Sequence, residues 1–240
     1  MKSQKIMNAI EFLSEMSEKR YPINPFLICE QLEIKIKSDR PLEKDGYLIC
    51  QNGKKVILVN GNISNCHRQK FIVAHELGHF LLHRNQLYSC DYISATTNHN
   101  VNTLAQEKEA NEFASELLIP HKELIKYMPT RSILRSDILK IANEFDVSVT
   151  HAAMQAVLSS NAENEILVCY DQGRLKWYTT ASRRIYPRMV PKRCPVDLEA
   201  AQQEVDIAGA WCDLYQGSVH QEKIYTYGSQ HLILLSGDCV

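Results

Sequence analysis

Residues 71–83 read FIVAHELGHFLLH, and this stretch gives the strongest indication of the fold. His75 and His79 are four residues apart, so on an α-helix both imidazoles lie on one face, about 6 Å apart along the axis, and can reach the same metal ion. Glu76 falls about 100° around the helix from His75, where it can stand beside a metal as a general base. The apolar residues around the motif predict a helix over about 66–83, in which the histidines need polar partners.

The overall composition is that of an ordinary globular protein. Of 240 residues, 45% are hydrophobic and 23% are charged, and 27 Lys and Arg against 28 Asp and Glu leave a net charge of -1. This balance argues against a strongly basic nucleic-acid binder. The chain contains no run of about 18 apolar residues that predicts a membrane span, and its first 20 residues lack the apolar core of a signal peptide. We therefore expect a cytoplasmic protein that neither enters a membrane nor binds nucleic acid directly.

The residues before the motif predict a small sheet. Alternation of polar and apolar residues over 33–37 predicts one strand, and two further strands are predicted over 46–51 and 55–60. Asn52-Gly53 separates the last two strands and is a strong hairpin signal. We expect the 55–60 strand to form an edge of the sheet close to the metal, where a substrate peptide could add as an extra strand.

The residues after the motif predict a helical half and then a change of pattern. A polar loop is predicted over 84–102, followed by a helix that starts near Thr103 and ends at Pro120, and further helices are predicted over 121–128 and 132–160. From residue 164 onward, two strand pairs are predicted around helical stretches in 197–215. These patterns together predict an α+β protein with one domain over 1–160 and a small C-terminal α/β appendage over 164–240.

The third metal ligand is left open by this geometry. A catalytic zinc takes three protein ligands and keeps one position for water. His83 continues the row of histidines but would lie about 12 Å from His75 along the helix axis, too far for a shared ion. The following helix offers several carboxylates, and a helical wheel does not choose among them: Glu107, Glu109, Glu112 and Glu116.

A family resemblance makes the choice. HELGHFLLH, followed about 30 residues later by EKEANEFASELLIP at 107–120, resembles the ImmA/IrrE family of metallopeptidases. The resemblance implies a zincin-like domain in which His75, His79 and Glu109 hold zinc or manganese and Glu76 acts as the general base. An additional oxyanion donor is expected, for which Tyr88, His83 and His121 are the candidates. No resemblance extends to residues 165–240.

The resemblance also implies an activity and a partner. The expected reaction is hydrolysis of a peptide bond in a protein substrate, and members of the family often act on a separate helix-turn-helix repressor. The alternative is a regulatory binding module without enzymatic activity, in which the metal site is degenerate or structural. The intact Glu76 favours the enzyme, because a structural site has no use for a general base.

One segment of this chain has a sequence pattern similar to that of a helix-turn-helix. Residues 136–158 predict two helices broken near 146–148. A DNA-reading helix needs Arg or Lys to contact phosphates and bases, and the second helix has neither. The arginines and lysines between 183 and 193 form a more basic stretch, but its prolines are typical of a solvated loop. Packing is therefore the favoured use of the helix pair.

Overall fold

The computed structural model describes residues 3–16, 21–83, 92–93, 101–160, 164–195, 211 and 213–239. The chain forms two compact units, residues 1–120 and residues 121–240. Within the described ranges, no helix is long and apolar enough to cross a membrane. The predicted helical stretches in 197–215 lie almost wholly outside the described residues, as does most of the predicted loop at 84–102.

The structure describes four helices in the first unit. They are α1 (Gln4–Met16), α2 (Pro25–Gln31), α3 (Cys66–Leu82) and α4 (Val101–Leu118). The Asn65 side chain accepts a hydrogen bond from the backbone of Arg68 and so caps α3, the helix that contains the histidine motif. The predicted bounds of α3 are confirmed. Helix α4 starts two residues before Thr103, so the predicted capping box is wrong.

The first unit contains a four-stranded sheet in the order β1-β3-β2-β4. Its strands are β1 (Lys35–Lys37), β2 (Gly46–Gln51), β3 (Lys54–Val59) and β4 (Tyr92–Ile93). Strands β2 and β3 form the predicted hairpin, and both turn residues, Asn52 and Gly53, have positive φ as a tight primed turn requires.

The prediction that the third strand lies at an edge is wrong. Strand β3 pairs in parallel with β1 and antiparallel with β2, so both of its sides carry backbone hydrogen bonds. The parallel partner, β1, comes from the segment before the hairpin. The alternation of polar and apolar residues within a strand does not predict such a non-local pairing. Of the two hairpin strands, β2 is the one whose second side is only partly paired. Among the described residues, β4 pairs with β2 at Ile49 and Cys50.

A close contact between α3 and α4 brings the two halves of the motif together. A Cβ atom built on Gly78 would lie 2.9 Å from Phe113 Cδ1 and 3.2 Å from Ala110 Cα. Any side chain larger than hydrogen at position 78 would therefore push the helices apart. Ala110 and Phe113 are fully buried at this contact. The glycine of HELGH and the alanine of EAN thus set how near the second helix comes to the histidines.

The second unit places helices beside an antiparallel sheet. Its helices are α5 (His121–Leu124), a 3-10 turn (Ile125–Tyr127), α6 (Arg135–Glu144) and α7 (Val149–Ser159). Its strands are β5 (Glu165–Asp171), β6 (Arg174–Thr180), β7 (Tyr215–Tyr227) and β8 (Gln230–Cys239), in the order β6-β5-β8-β7. The mixture of helices and two small sheets confirms the α+β prediction.

Helices α6 and α7 contact the sheet of their own unit. The backbone N–H of Arg135 donates to Glu222, and its guanidinium donates to the carbonyl of Ile224. Thr150 on α7 donates to the Tyr225 hydroxyl. The buried Trp211 donates from Nε1 to Gln221 of β7 at 2.9 Å. The division into domains at 160–164 stays a prediction.

Candidate metal centre

Helix α3 presents His75 and Glu76 to a cavity, and His79 lies one turn after His75 on the same helix. The Nε2 atoms of His75 and His79 are 3.1 Å apart, as expected for residues one turn apart that point the same way. His79 is 1% exposed and Glu76 is 4% exposed. Because buried polar groups need partners, we expect polar atoms of neighbouring elements to contact these buried side chains.

The carboxylate that faces the two histidines is Glu107 of α4. Its Oε2 lies 3.2 Å from His75 Nε2 and its Oε1 lies 3.3 Å from His79 Nε2. Within the described part of the chain, His75, His79 and Glu107 form a group of ligand atoms close enough to hold one metal ion. Glu107 was one of the four carboxylates that the helical wheel left open.

The donor set of this group fits a tetrahedral metal. Two ligand atoms at about 2.0–2.1 Å from a tetrahedral zinc are about 3.3–3.4 Å apart. The separations of 3.1, 3.2 and 3.3 Å in the group are close to that value. Two imidazoles and one carboxylate are also the ligand types of catalytic zinc sites. The residues present therefore match what a divalent metal would require.

Glu109 lies elsewhere, although the resemblance implied it as the third ligand. Its Oε2 is 3.1 Å from His83 Nε2 and 3.4 Å from Lys5 Nζ. Two residues along a helix turn a side chain by about 200°, so Glu107 and Glu109 leave α4 on different sides. Burial acts to raise the pKa of Glu109, but His83 and Lys5 outweigh it and lower the pKa. The structure thus groups Glu107, and not Glu109, with the two predicted histidine ligands.

Asn111 is a contact of the site that our reading of the sequence missed. Its Oδ1 lies 3.0 Å from His75 Nδ1, the ring nitrogen that faces away from Glu107. An amide oxygen only accepts, so His75 Nδ1 donates to it, which leaves Nε2 as the nitrogen that a metal would bind in place of its proton. Asn111 follows Glu107 by one helical turn, and the i, i+4 spacing of the two residues was the available signal.

The electrostatics of the group keep Glu107 ionised. Hydrogen bonds from His75, and then from His79, hold the pKa of the Glu107 carboxyl well below its usual range. Burial acts to lower the pKa of His75, but its hydrogen bond to Glu107 and the charge of Glu76 outweigh this effect and raise the pKa. At neutral pH the carboxylate is consequently a charged acceptor, the form in which a carboxylate binds a metal.

A cavity of about 250 Å³ opens beside the group. A Cβ atom on Gly46 would lie 2.5 Å from Ile72 Cγ2 and 3.2 Å from Glu76 Oε1, so β2 leaves no room for a side chain at this position beside Glu76. The cavity is lined by residues of β2, α3, α4 and the turn before β2: Lys44, Asp45, Gly46, Arg68, Phe71, Ile72, His75, Glu76, Glu107 and Asn111. It could accommodate part of a peptide.

Of the three predicted candidates for an oxyanion donor, His83 and His121 do not line this cavity. Tyr88 lies outside the described residues. His83 is buried and contacts His79 and Glu109. His121 contacts Ser159 in the second unit. Two cations that we did not single out, Lys44 and Arg68, line the cavity instead.

The fold and site together define a zincin-like metallopeptidase domain, in which one helix supplies HExxH and the next supplies a carboxylate. The IrrE N-terminal-like domain family (Peptidase_M78) matches residues 29–156, which is more than half of the chain, and the chain belongs to this family. The predicted resemblance and the zincin-like fold class are confirmed. Membership supports a peptidase-family function for this chain.

Comparison with solved structures gives a consistent result. A Mycobacterium tuberculosis transcriptional regulator superposes on 98% of this chain and 75% of its own length, with a TM-score of 0.63 and 16% sequence identity. At this identity the similarity shows a shared fold. No curated protein matches the chain.

Proposed function

We propose that this protein is a zinc-dependent endopeptidase that hydrolyses a peptide bond in a protein substrate, with the metal held by His75, His79 and Glu107. The proposal rests above all on the close grouping of those three side chains, with separations of 3.1–3.3 Å. Membership of a peptidase family supports the same activity. Zinc is favoured because imidazole and carboxylate ligands in a tetrahedral arrangement are its usual set, and manganese is the alternative ion.

The roles of the residues follow from their positions. Zinc, when bound there, supplies a Lewis acid that makes water more acidic and polarises a carbonyl. Glu76 lines the same cavity as His75, so its carboxylate accepts the proton of the attacking water and returns it to the leaving amine. Arg68 is already paired with Asp45, which leaves Lys44 as the cation that can face the developing oxyanion.

A substrate peptide has a place to bind along β2. Among the described residues, β4 pairs with Ile49 and Cys50 only, so the outer side of Gly46–Leu48 is not covered by a described strand. Gly46 and Glu76 line the same cavity, and a Cβ atom at Gly46 would lie 3.2 Å from Glu76 Oε1. A peptide that added to this side by backbone hydrogen bonds would pass next to the proposed general base. This position replaces the one that we predicted on the following strand.

We further propose that the substrate is a separate DNA-binding repressor and that the protein acts in the cytoplasm, where such a repressor works. The resemblance to ImmA/IrrE proteins implies this partner. The similar protein from Mycobacterium tuberculosis is described as a transcriptional regulator, which supports a regulatory setting. Direct binding of DNA by α7 has little support, because its sequence VTHAAMQAVLS contains neither Lys nor Arg.

Two measurements test the metal site and the catalytic role of Glu76. Metal analysis of the purified protein should find about one zinc per chain, and Glu107→Ala should abolish this binding. Glu76→Gln should keep the metal and lower peptide cleavage by about 10²–10⁴-fold. Because the substrate is unidentified, newly formed protein N-termini should be compared in cells that produce the wild-type or the Glu76→Gln protein.

The enzyme reading requires N-termini that appear only with the wild-type protein. Identical sets of N-termini, combined with unchanged regulation of transcription, would favour a binding module that works without hydrolysis. A protein that holds no metal after exposure to zinc would refute the metal site. If Glu109→Ala abolishes zinc binding while Glu107→Ala does not, the ligand implied by the family resemblance is correct and our assignment is wrong.

A further inference from the structure

A row of hydrogen-bonded side chains leads from His79 away from the proposed metal site. His79 Nδ1 lies 3.1 Å from His83 Nδ1, and His83 Nε2 lies 3.1 Å from Glu109 Oε2. The same carboxylate oxygen is 3.4 Å from Lys5 Nζ on α1. His79 and His83 are buried, whereas Glu109 is about one-third exposed and Lys5 about half exposed. The row thus runs from the buried ligand side chain to the protein surface.

The direction of every hydrogen bond in this row is fixed by its last acceptor. An ionised carboxylate only accepts, so Glu109 requires the proton of His83 to be on Nε2. A neutral imidazole has one N–H, and His83 Nδ1 must then accept from His79 Nδ1. His79 therefore carries a proton on Nδ1, the tautomer in which Nε2 is the nitrogen that a metal would bind. The opposite direction would need a carboxylate that donates.

His75, the other histidine of the group, also has a hydrogen-bond acceptor at its Nδ1 atom, and it contacts this acceptor directly. Asn111 Oδ1 accepts from His75 Nδ1, so Nε2 is the nitrogen of His75 that a metal would bind. Both histidines therefore present the nitrogen that a metal binds, and each is held by an acceptor on its far side. His79 reaches its acceptor through a second imidazole, because His83 lies one turn further along α3.

We propose that His83 and Glu109 are positioning residues that fix the tautomer and ring orientation of His79, with Lys5 stabilising the Glu109 charge. The inference rests on the proposed metal site, and it gives Glu109 a role in that site without making it a ligand. Partners of metal-binding histidines typically contribute 10–100-fold to metal affinity. A role in packing alone would not depend on whether position 83 can accept and donate hydrogen bonds.

The test measures the zinc dissociation constant of the whole protein by competition with a chromophoric chelator. His83→Phe retains bulk but cannot accept a hydrogen bond, and it should raise the dissociation constant by about 10–100-fold. His83→Gln can accept from His79 and donate to Glu109, and it should remain within about threefold of the wild type. Lys5→Ala should give the smallest increase, since Lys5 contacts only the exposed end of the row.

Variants of Glu109 keep the test decisive if His83→Phe does not fold. Glu109→Ala removes the terminal acceptor and should weaken zinc binding about tenfold. Glu109→Gln keeps an acceptor oxygen and should have a smaller effect, whereas a direct ligand would lose its function in both variants. A nitrogen-15 spectrum of the zinc-loaded protein should show the proton of His79 on Nδ1 and that of His83 on Nε2.

The outcomes separate this inference from the proposed function. A wild-type protein that binds no zinc would remove both. Zinc binding that is lost in Glu107→Ala but unchanged in Glu109→Ala and His83→Phe would overturn the positioning role alone. Loss of binding in Glu109→Ala and Glu109→Gln, but not in Glu107→Ala, would make Glu109 a ligand and overturn the inference together with the ligand assignment. A His79 ring that is protonated on Nε2 in the zinc-loaded protein would also overturn it.

Discussion

The Gly78→Ala substitution tests whether the close approach of α3 and α4 sets the geometry of the metal site. The added Cβ would lie 2.9 Å from Phe113 Cδ1 and 3.2 Å from Ala110 Cα. Carbon atoms attract best at about 3.5–4.0 Å, so the Phe113 ring must retreat by about 0.6 Å and the α4 backbone by about 0.3 Å. Ligand distances in metal sites are specified to about 0.2 Å. The shift of α4 therefore exceeds what the position of Glu107 tolerates.

Two opposing effects determine the stability of this variant. Overpacking a buried contact costs roughly 1–3 kcal/mol. Replacing glycine by alanine inside a helix stabilises the folded protein by about 1 kcal/mol. We expect the metal-free protein to lose about 0–2 kcal/mol of stability, while the zinc dissociation constant rises roughly tenfold or more because Glu107 moves away from the histidines. Thermal unfolding monitored by circular dichroism and chelator competition measure the two quantities separately.

Gly53→Ala is the matched control. Position 53 lies in the same unit, has φ +73, and offers open space to a Cβ atom. Alanine there costs stability through backbone strain but leaves the contact between α3 and α4 unchanged. It should melt at a lower temperature and bind zinc as the wild type does. If Gly78→Ala binds zinc with wild-type affinity and melts at a higher temperature, the helix contact does not control the site.

Three further predictions concern other contacts. Gly46→Ala should displace Glu76 and lower cleavage of an identified substrate peptide at least about tenfold, with zinc content unchanged; loss of zinc as well would contradict this. Asn111→Ala should weaken zinc binding about 10–100-fold in chelator competition, and Asn111→Asp, which keeps an acceptor, should weaken it less. Burial raises the pKa of Glu165, so its contribution to stability is complete below its unfolded pKa of about 4.3 and is lost as the pH rises through the folded value. Glu165→Gln keeps an acceptor for the Ile133 N–H and should melt above the wild type at pH 7–8, with equal melting temperatures near pH 4; a gap independent of pH would assign the effect to packing.

The parts of the fold that local rules determine were predictable from the sequence. The capping side chain of Asn65 and the apolar run after it place α3 where it was expected. The Asn52-Gly53 turn sets the register of the β2–β3 hairpin. Strand order was not predictable, because the pairing of β1 with β3 joins segments separated by about twenty residues and depends on which strand arrives parallel. The edge available to a substrate was misplaced for this reason.

The choice between Glu107 and Glu109 also depends on a contact that local rules do not determine. A helical wheel relates a side chain only to the apolar stripe of its own helix, which does not say which side of that helix meets His75. Which of them faces His75 depends on where α3 crosses α4. The Gly78–Ala110 contact defines that crossing, and it is a tertiary contact between two small residues that no periodicity reveals.

Once this crossing is known, the run Glu107-Lys108-Glu109-Ala110-Asn111 can be understood as one unit. Ala110 must be small because it meets Gly78. Glu107 and Asn111 are one turn apart, so they lie on the same side of α4 and contact opposite nitrogens of the His75 ring. Glu109 leaves the helix on another side and reaches His83. The spacing of two acidic residues and one amide around a small residue therefore serves two contacts: Glu107 meets the Nε2 atoms of the two histidines, while Asn111 directly and Glu109 through His83 meet their Nδ1 atoms.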